Sequence, residues 1–187
     1  MLASKMDRFA EAEPVLRKSF ENAQGPDPQV DEALARVYLK TYDLNRAANV
    51  IDRWARDAPN DPKPYLWRAE IDSRASSEAV DVLNDYREAV KRAPTLPEAR
   101  LGLANELRKG HRNDEAATEY EAYLKMKPDD AAAHLGAGQT LLEKGDEAAG
   151  IRPLERALAL DPKNASALKE FAELDVRHGN FPSALAY

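Results

Sequence analysis

The three histidines, His111, His134 and His178, are the side chains best placed to exchange protons near neutral pH or to bind a transition metal. Each stands alone. No two share the i, i+4 spacing that sets a pair of imidazoles on one helix face, and the chain has no cysteine to complete a ligand set. A solitary histidine with no partner base is expected to be a surface or structural group. Carboxylates are abundant, but pairs such as Glu70 and Asp72, or Glu119 and Glu121, are two residues apart and point to different sides of a helix. They form a solvated charged face rather than an acid and base sharing one substrate. No glycine-rich loop follows a strand, and no Gly-x-Ser-x-Gly elbow occurs. Catalytic, metal and cofactor sites are therefore not expected, and the chain is read as non-enzymatic.

The totals agree with that reading. The chain has 187 residues, 43% hydrophobic and 32% charged, which suits one folded domain. Its net charge of -6, with both signs mixed along the sequence, gives no general attraction to nucleic acid. No apolar run approaches the roughly 18 residues of a membrane span, and the opening Met1–Arg8 lacks the apolar core of a signal peptide. A soluble chain is expected, and the lack of cysteine suits cytosol and periplasm equally.

What would position any functional side chain is a repeat. Pro59, Pro94, Pro128 and Pro162 are separated by 35, 34 and 34 residues. Three more columns keep the same step. They are Ala35, Ala69, Ala104, Gly138 and Ala172; Ala47, Val82, Ala116, Gly150 and Ala184; and Trp54, Ala89, Tyr123 and Ala157. Each unit reads as two helices. In 131–162, Leu135, Gly138, Leu141 and Leu142 follow a helical period, Lys144-Gly145-Asp146 breaks it, and Ile151, Leu154, Ala157 and Leu158 resume it. Asp27, Asp61, Asp130 and Asn164 stand where first helices need an N-cap, and Pro28, Pro62 and Pro97 follow in the first turn. Small residues recur where helices must cross closely, while Ile51, Tyr86, Tyr120 and Leu154 fill space toward the next unit.

These columns resemble the tetratricopeptide repeat family. Leu103-Ala104, Leu107, Ala116, Tyr120, Tyr123 and Pro128 carry the pattern in one unit, and Gly138, Leu141, Gly145, Gly150, Leu154, Ala157 and Pro162 in the next. The resemblance implies an all-α fold, a right-handed α-solenoid of antiparallel helix-turn-helix repeats. The expected organisation is a single solenoid over 1–187. It has a partial repeat at 1–27, full repeats at 28–61, 62–96, 97–130 and 131–164, and a truncated repeat at 165–187. Residues 7–24 read as a second helix lacking its first, so a fragment of a longer array is expected.

Some positions depart from the pattern. The aromatic expected early in each unit is kept at Tyr65, while Asp31, Arg100, His134 and Leu168 replace it elsewhere. An extra residue falls near Ser76-Ser77. Asp72 and Asp175 occupy a normally apolar position, which predicts looser packing. Pro14 and Pro153 lie inside second helices, where a kink or a late start is expected.

In this family the first helices line a concave groove that holds ligands. Carried onto this sequence, the groove would present Arg36, Lys40, Leu66, Arg74, Leu101, Asn105, Arg108, Lys109, Leu135 and Gln139. Leu66, Leu101 and Leu135 form an apolar row, and Arg36, Lys40, Arg74, Arg108, Lys109 and Arg177 a basic edge. Such a groove suits a protein or peptide segment carrying apolar and acidic residues, held by a non-catalytic scaffold. The lysines and asparagines of a chaperone-tail clamp are matched only at Asn105 and Lys169, so that ligand is not expected. Two alternatives are a spacer that self-associates through ends such as Phe181 and Leu185, and a docking arm of a larger enzyme.

Overall fold

The structure, a computed structural model, describes residues 2–23, 25, 27–75 and 79–180, with side chains described from residue 11 onward except at 74, 75, 79 and 80. The expected extra residue near Ser76-Ser77 lies outside the described residues, as do Phe181, Pro182, Ala184 and Leu185. Ten helices and no strand are found among the described residues. They are α1 (Leu2–Asn22), α2 (Pro28–Lys40), α3 (Leu44–Asp57), α4 (Lys63–Ala75), α5 (Ala79–Arg92), α6 (Pro97–Lys109), α7 (Asn113–Met126), α8 (Ala131–Glu143), α9 (Glu147–Leu160) and α10 (Ala165–Arg177). Helix pairs follow the repeat columns, and the prolines at 59, 94, 128 and 162 stand in the connections between pairs.

The helix ends have local causes. Asp27, Asp130 and Asn164 accept from the backbone N–H three residues on, at 3.2, 3.0 and 3.1 Å. Asp61 instead accepts from the Lys63 N–H and from the Trp54 indole, tying the α3–α4 connection to the core. Two caps went unforeseen: Asp43 starts α3 and Asp146 starts α9. The turns that follow α2, α6, α8 and α10 each cross one residue with positive φ, at Tyr42 (60°), His111 (56°), Gly145 (83°) and Gly179 (77°). After it, the N–H of Asp43, Arg112, Asp146 or Asn180 reaches back to a carbonyl of the preceding helix.

Contacts divide the chain into two units, Met1–Pro94 and Thr95–Tyr187. In the first, α1 packs on α2, α2 pairs with α3, α3 touches α4, and α4 pairs with α5. Leu34, Ala35, Tyr38, Ala47, Val50, Ile51 and Ile71 form its core, with Leu16, Phe20, Leu39 and Trp67 packed against it. Trp54 is fully buried and meets Trp67 edge-on, with ring centroids 5.8 Å apart. Asp31, at an expected aromatic position, is buried and accepts from Arg53 Nη2 at 3.0 Å. Arg53 Nη1 donates to the Phe20 carbonyl, so this one guanidinium joins α1, α2 and α3. Burial pushes the Asp31 carboxyl above its ordinary range, against the pull of Arg53. Asp72 is half-buried, and burial with the neighbouring Asp85 raises its carboxyl too.

In the second unit, α6 pairs with α7 and α8 with α9, α7 packs on α8, and α10 lies against α9 and α8. Its core holds Leu103, Ala104, Leu107, Ala116, Tyr120, Leu154 and Ala157. The small column is spatially required at Gly138. A β-carbon there would lie 2.6 Å from Leu154 Cγ and 3.1 Å from the Gly150 carbonyl. The helix α9 begins at Glu147 and runs through Pro153, so the expected late start does not occur. The helix α1 likewise runs through Pro14. In each case the neighbouring turns supply enough helical bonds to carry the chain past one missing N–H.

Candidate binding face

The first helices of the second unit, α6, α8 and α10, place their interior polar residues within reach of one another. Arg108 on α6 approaches Glu143 on α8, Nη1 to Oε1, at 3.4 Å. Gln139 on α8 donates to Glu170 on α10 at 2.8 Å. Asn105 accepts from the Tyr120 hydroxyl at 2.5 Å, so a second-helix tyrosine fixes a first-helix amide. Burial raises the Tyr120 hydroxyl above its ordinary range, and the nearby Arg108 guanidinium offsets part of that rise. The hydroxyl therefore stays a donor. Leu101 and Leu135 are half-buried one turn before Asn105 and Gln139, on the same helix faces. Lys109 is exposed and pairs with Glu106 at 2.6 Å.

In the first unit, Arg36 on α2 bonds Glu32 at 2.7 Å and lies over the Trp67 ring. Glu32 also accepts from Lys63 at the start of α4. Burial opposes ionisation of Glu32, but Lys63 and Arg36 together hold its carboxyl below the ordinary range. Lys40 is exposed. Leu66 is 5% exposed and belongs to the core of its unit. Arg74 lies on α4, with its side chain outside the described residues. A cleft of about 460 Å³ opens between α1 and α2, walled by Leu16, Ala33 and Val37 and edged by Glu32 and Arg36.

The expected basic edge is thus partly neutralised within the chain. Arg36, Arg108 and Lys109 each have a carboxylate beside them. Sequence columns place residues on a helix face but do not say which acid, 3, 4 or 35 positions away, meets them. The link from Tyr120 to Asn105 was equally hidden, since Tyr120 was legible only as a space-filler. Among the described residues, no group of three His, Cys, Asp or Glu side chains could hold a metal ion. Among the same residues, no helix is long and apolar enough to cross a membrane.

Helix pairs repeating every 34 or so residues, with capped first helices and small residues at the crossings, define an α-helical repeat protein. Residues 101–165 match the family model for the tetratricopeptide repeat, and the flanking helix pairs keep its period. Over 77 residues, 40% of its length, it is 46% identical to the peroxisomal targeting signal receptor of Saccharomyces cerevisiae. Over 101 residues, 50% of its length, it is 35% identical to protein O-mannosyl-transferase Tmtc2 of Drosophila melanogaster. The matches span only 12% and 11% of those two proteins. Among solved structures it resembles MamA 41-end from Desulfovibrio magneticus RS-1, with a TM-score of 0.79 and 20% identity, covering 88% of this chain and 92% of that one. A crystal structure of MamA matches with a TM-score of 0.73 and 16% identity, covering 84% and 91%. At these identities the likeness is one of fold.

Proposed function

We propose that this chain is a non-catalytic scaffold that holds a segment of a partner polypeptide on the face made by its first helices. The observation that carries the reading is the pairing of half-buried Leu101 and Leu135 with Asn105 and Gln139 one turn on and Arg108 two turns on, all on α6 and α8. Two apolar contacts beside an amide, a guanidinium and a second amide suit an extended segment that alternates apolar and acidic or backbone-polar groups. The carboxylates of Glu143 and Glu170 now take the Arg108 and Gln139 donors, and a partner's acidic groups would replace them. The relative from Saccharomyces cerevisiae is, by its name, a receptor for a targeting signal, which favours a binding role here.

The test is affinity capture from the source cell with the parent chain, and with Asn105→Ala and Arg108→Glu variants whose helicity is first shown intact by circular dichroism. Leu66→Glu is a poor probe because Leu66 is a core residue. Loss of the same captured protein from both folded variants supports the reading. Identical capture by parent and variants sinks it and moves the spacer role forward.

A further inference from the structure

The two units differ at one equivalent place, away from the first-helix face. In the first unit, Arg68 of α4 reaches between the second helices α3 and α5. Its Nε donates to Asp85 Oδ2 at 2.7 Å, its Nη2 to Asp85 Oδ1 at 2.5 Å, and its Nη1 to Asp52 Oδ1 at 3.2 Å. Asp85 is buried and Asp52 exposed. One arginine therefore plugs the gap between neighbouring second helices. Its planar fork is shared by two carboxylates.

The repeat register carries these positions into the second unit. Arg68 becomes Ala137, Asp85 becomes Pro153 and Asp52 becomes Glu121. Leu34 and Leu103 fill the position of Ala137 in the other two full repeats, and both are buried. With a methyl group in place of a long side chain, a cleft of about 440 Å³ opens between α7 and α9. Ala137 and Leu141 of α8 line it, together with Leu124 and Pro153. Glu121, the counterpart of Asp52, remains at its edge, and Asp114 lies two helical turns away on the same helix. Both acids carry exposed lysine partners, Lys125 and Lys144, each at 2.7 Å. Solvated pairs of this kind exchange readily for a better-packed cation.

We infer that this cleft receives an arginine side chain presented by a partner protein, its stem on Ala137 and Leu124 and its guanidinium on Glu121. The guanidinium would displace Lys125 from Glu121, while Asp114 holds Lys144, which also lines the cleft, at the mouth. The site would repeat, between two molecules, the contact that Arg68 makes with Asp52 inside the first unit. A net charge of -6 favours a basic partner at this surface.

The probe is an acetylated, amidated pentapeptide of alanines around one arginine, titrated at low ionic strength into the ¹⁵N-labelled chain. Its counterpart carries citrulline, which has nearly the same shape without the charge. The arginine peptide is expected to cause saturable shifts at Ala117, Glu121, Ala137 and Leu141. Binding should be about fivefold weaker with citrulline and about fivefold weaker in Glu121→Gln. An arginine peptide that leaves these amides unmoved, or that binds no better than citrulline, overturns the proposal. Ala137→Arg installs the plug within the chain. It is expected to abolish the peptide response and to couple with Glu121→Gln in a double-mutant cycle. A folded Ala137→Arg chain that still binds the peptide also overturns the proposal, and the other two titrations decide it alone if that variant does not fold.

Discussion

The Tyr120 hydroxyl donates to Asn105 Oδ1 at 2.5 Å, and the tyrosine ring can lie there only because residue 136 is glycine. A β-carbon at Gly136 would lie 2.5 Å from Tyr120 Oη and 2.7 Å from Cζ. One residue without a side chain on α8 thus lets a tyrosine of α7 orient an amide of α6. Three helices are coupled at the candidate binding face by one close approach.

Gly136→Ala tests that coupling. In a helix interior the change should stabilise by about 0.5–1 kcal/mol through backbone entropy. The overlap with a fully buried ring opposes it and costs about 1–3 kcal/mol, since a packed core gives little. The expected net result is destabilisation in urea unfolding, together with a changed Asn105 side-chain amide signal in NMR.

Tyr42 and His111 occupy the same turn position as Gly145 and Gly179, with φ near +60°. A left-handed conformation costs a residue with a β-carbon about 1–2 kcal/mol. Tyr42 is 85% exposed, so its removal loses little packing. Tyr42→Gly and His111→Gly are each expected to raise stability by up to about 1 kcal/mol after glycine's added chain entropy, read as a higher urea midpoint at unchanged m-value.

Arg68 separates two kinds of ion pair. Asp85 is 7% exposed, so Arg68→Ala would leave a carboxylate buried without its partner, at a cost of about 3–5 kcal/mol. Asp52 is exposed, and Asp52→Ala should cost only about 0.2–1 kcal/mol. Equal losses in thermal or urea unfolding would contradict the assignment of Arg68 as a plug held mainly by Asp85.

Asp130 gives a pH dependence of known sign. Burial opposes its ionisation, yet the Tyr123 hydroxyl and the Ala133 and Ala132 N–H groups together hold its carboxyl below the ordinary 3.8. The same bond, after burial, pushes the Tyr123 hydroxyl up to about 12, so the tyrosine stays protonated at neutral pH. A depressed carboxylate binds protons more weakly in the folded state. Its contribution is present above pH 3.8 and is lost as pH falls through the folded value. Asp130→Asn is therefore expected to destabilise at pH 7, with a penalty that shrinks below pH 3.8, measured by urea unfolding across that range.

The caps give a simpler comparison. Asp146→Ala removes one bond to the Ala149 N–H and should cost about 1 kcal/mol. Asp130→Ala removes the cap and the Tyr123 bond together, and at neutral pH should cost more. Equal urea midpoints for the two variants would show that the tyrosine bond adds nothing.

The sequence by itself determined the all-α class, the 34-residue period, the helix pairs and most first-helix caps. These rest on interactions within a few residues, such as helical spacing, Asp or Asn before a first turn, and small residues at a fixed step. It also placed Leu101, Asn105, Leu135 and Gln139 on first helices, because helical geometry alone puts residues four apart on one face. Tertiary structure alone decided that Leu66 is core, that Arg36 and Arg108 have acidic neighbours, and that Tyr120 holds Asn105. It also decided that an arginine fills one gap between second helices while a cleft stands at its counterpart. The pairs linking separate helices join residues 15 to 35 apart in the chain, as with Tyr120 and Asn105 or Arg108 and Glu143. At such separations the periodic pattern tells which side chains share a side of a helix, and only the packing distance between helices decides which of them touch.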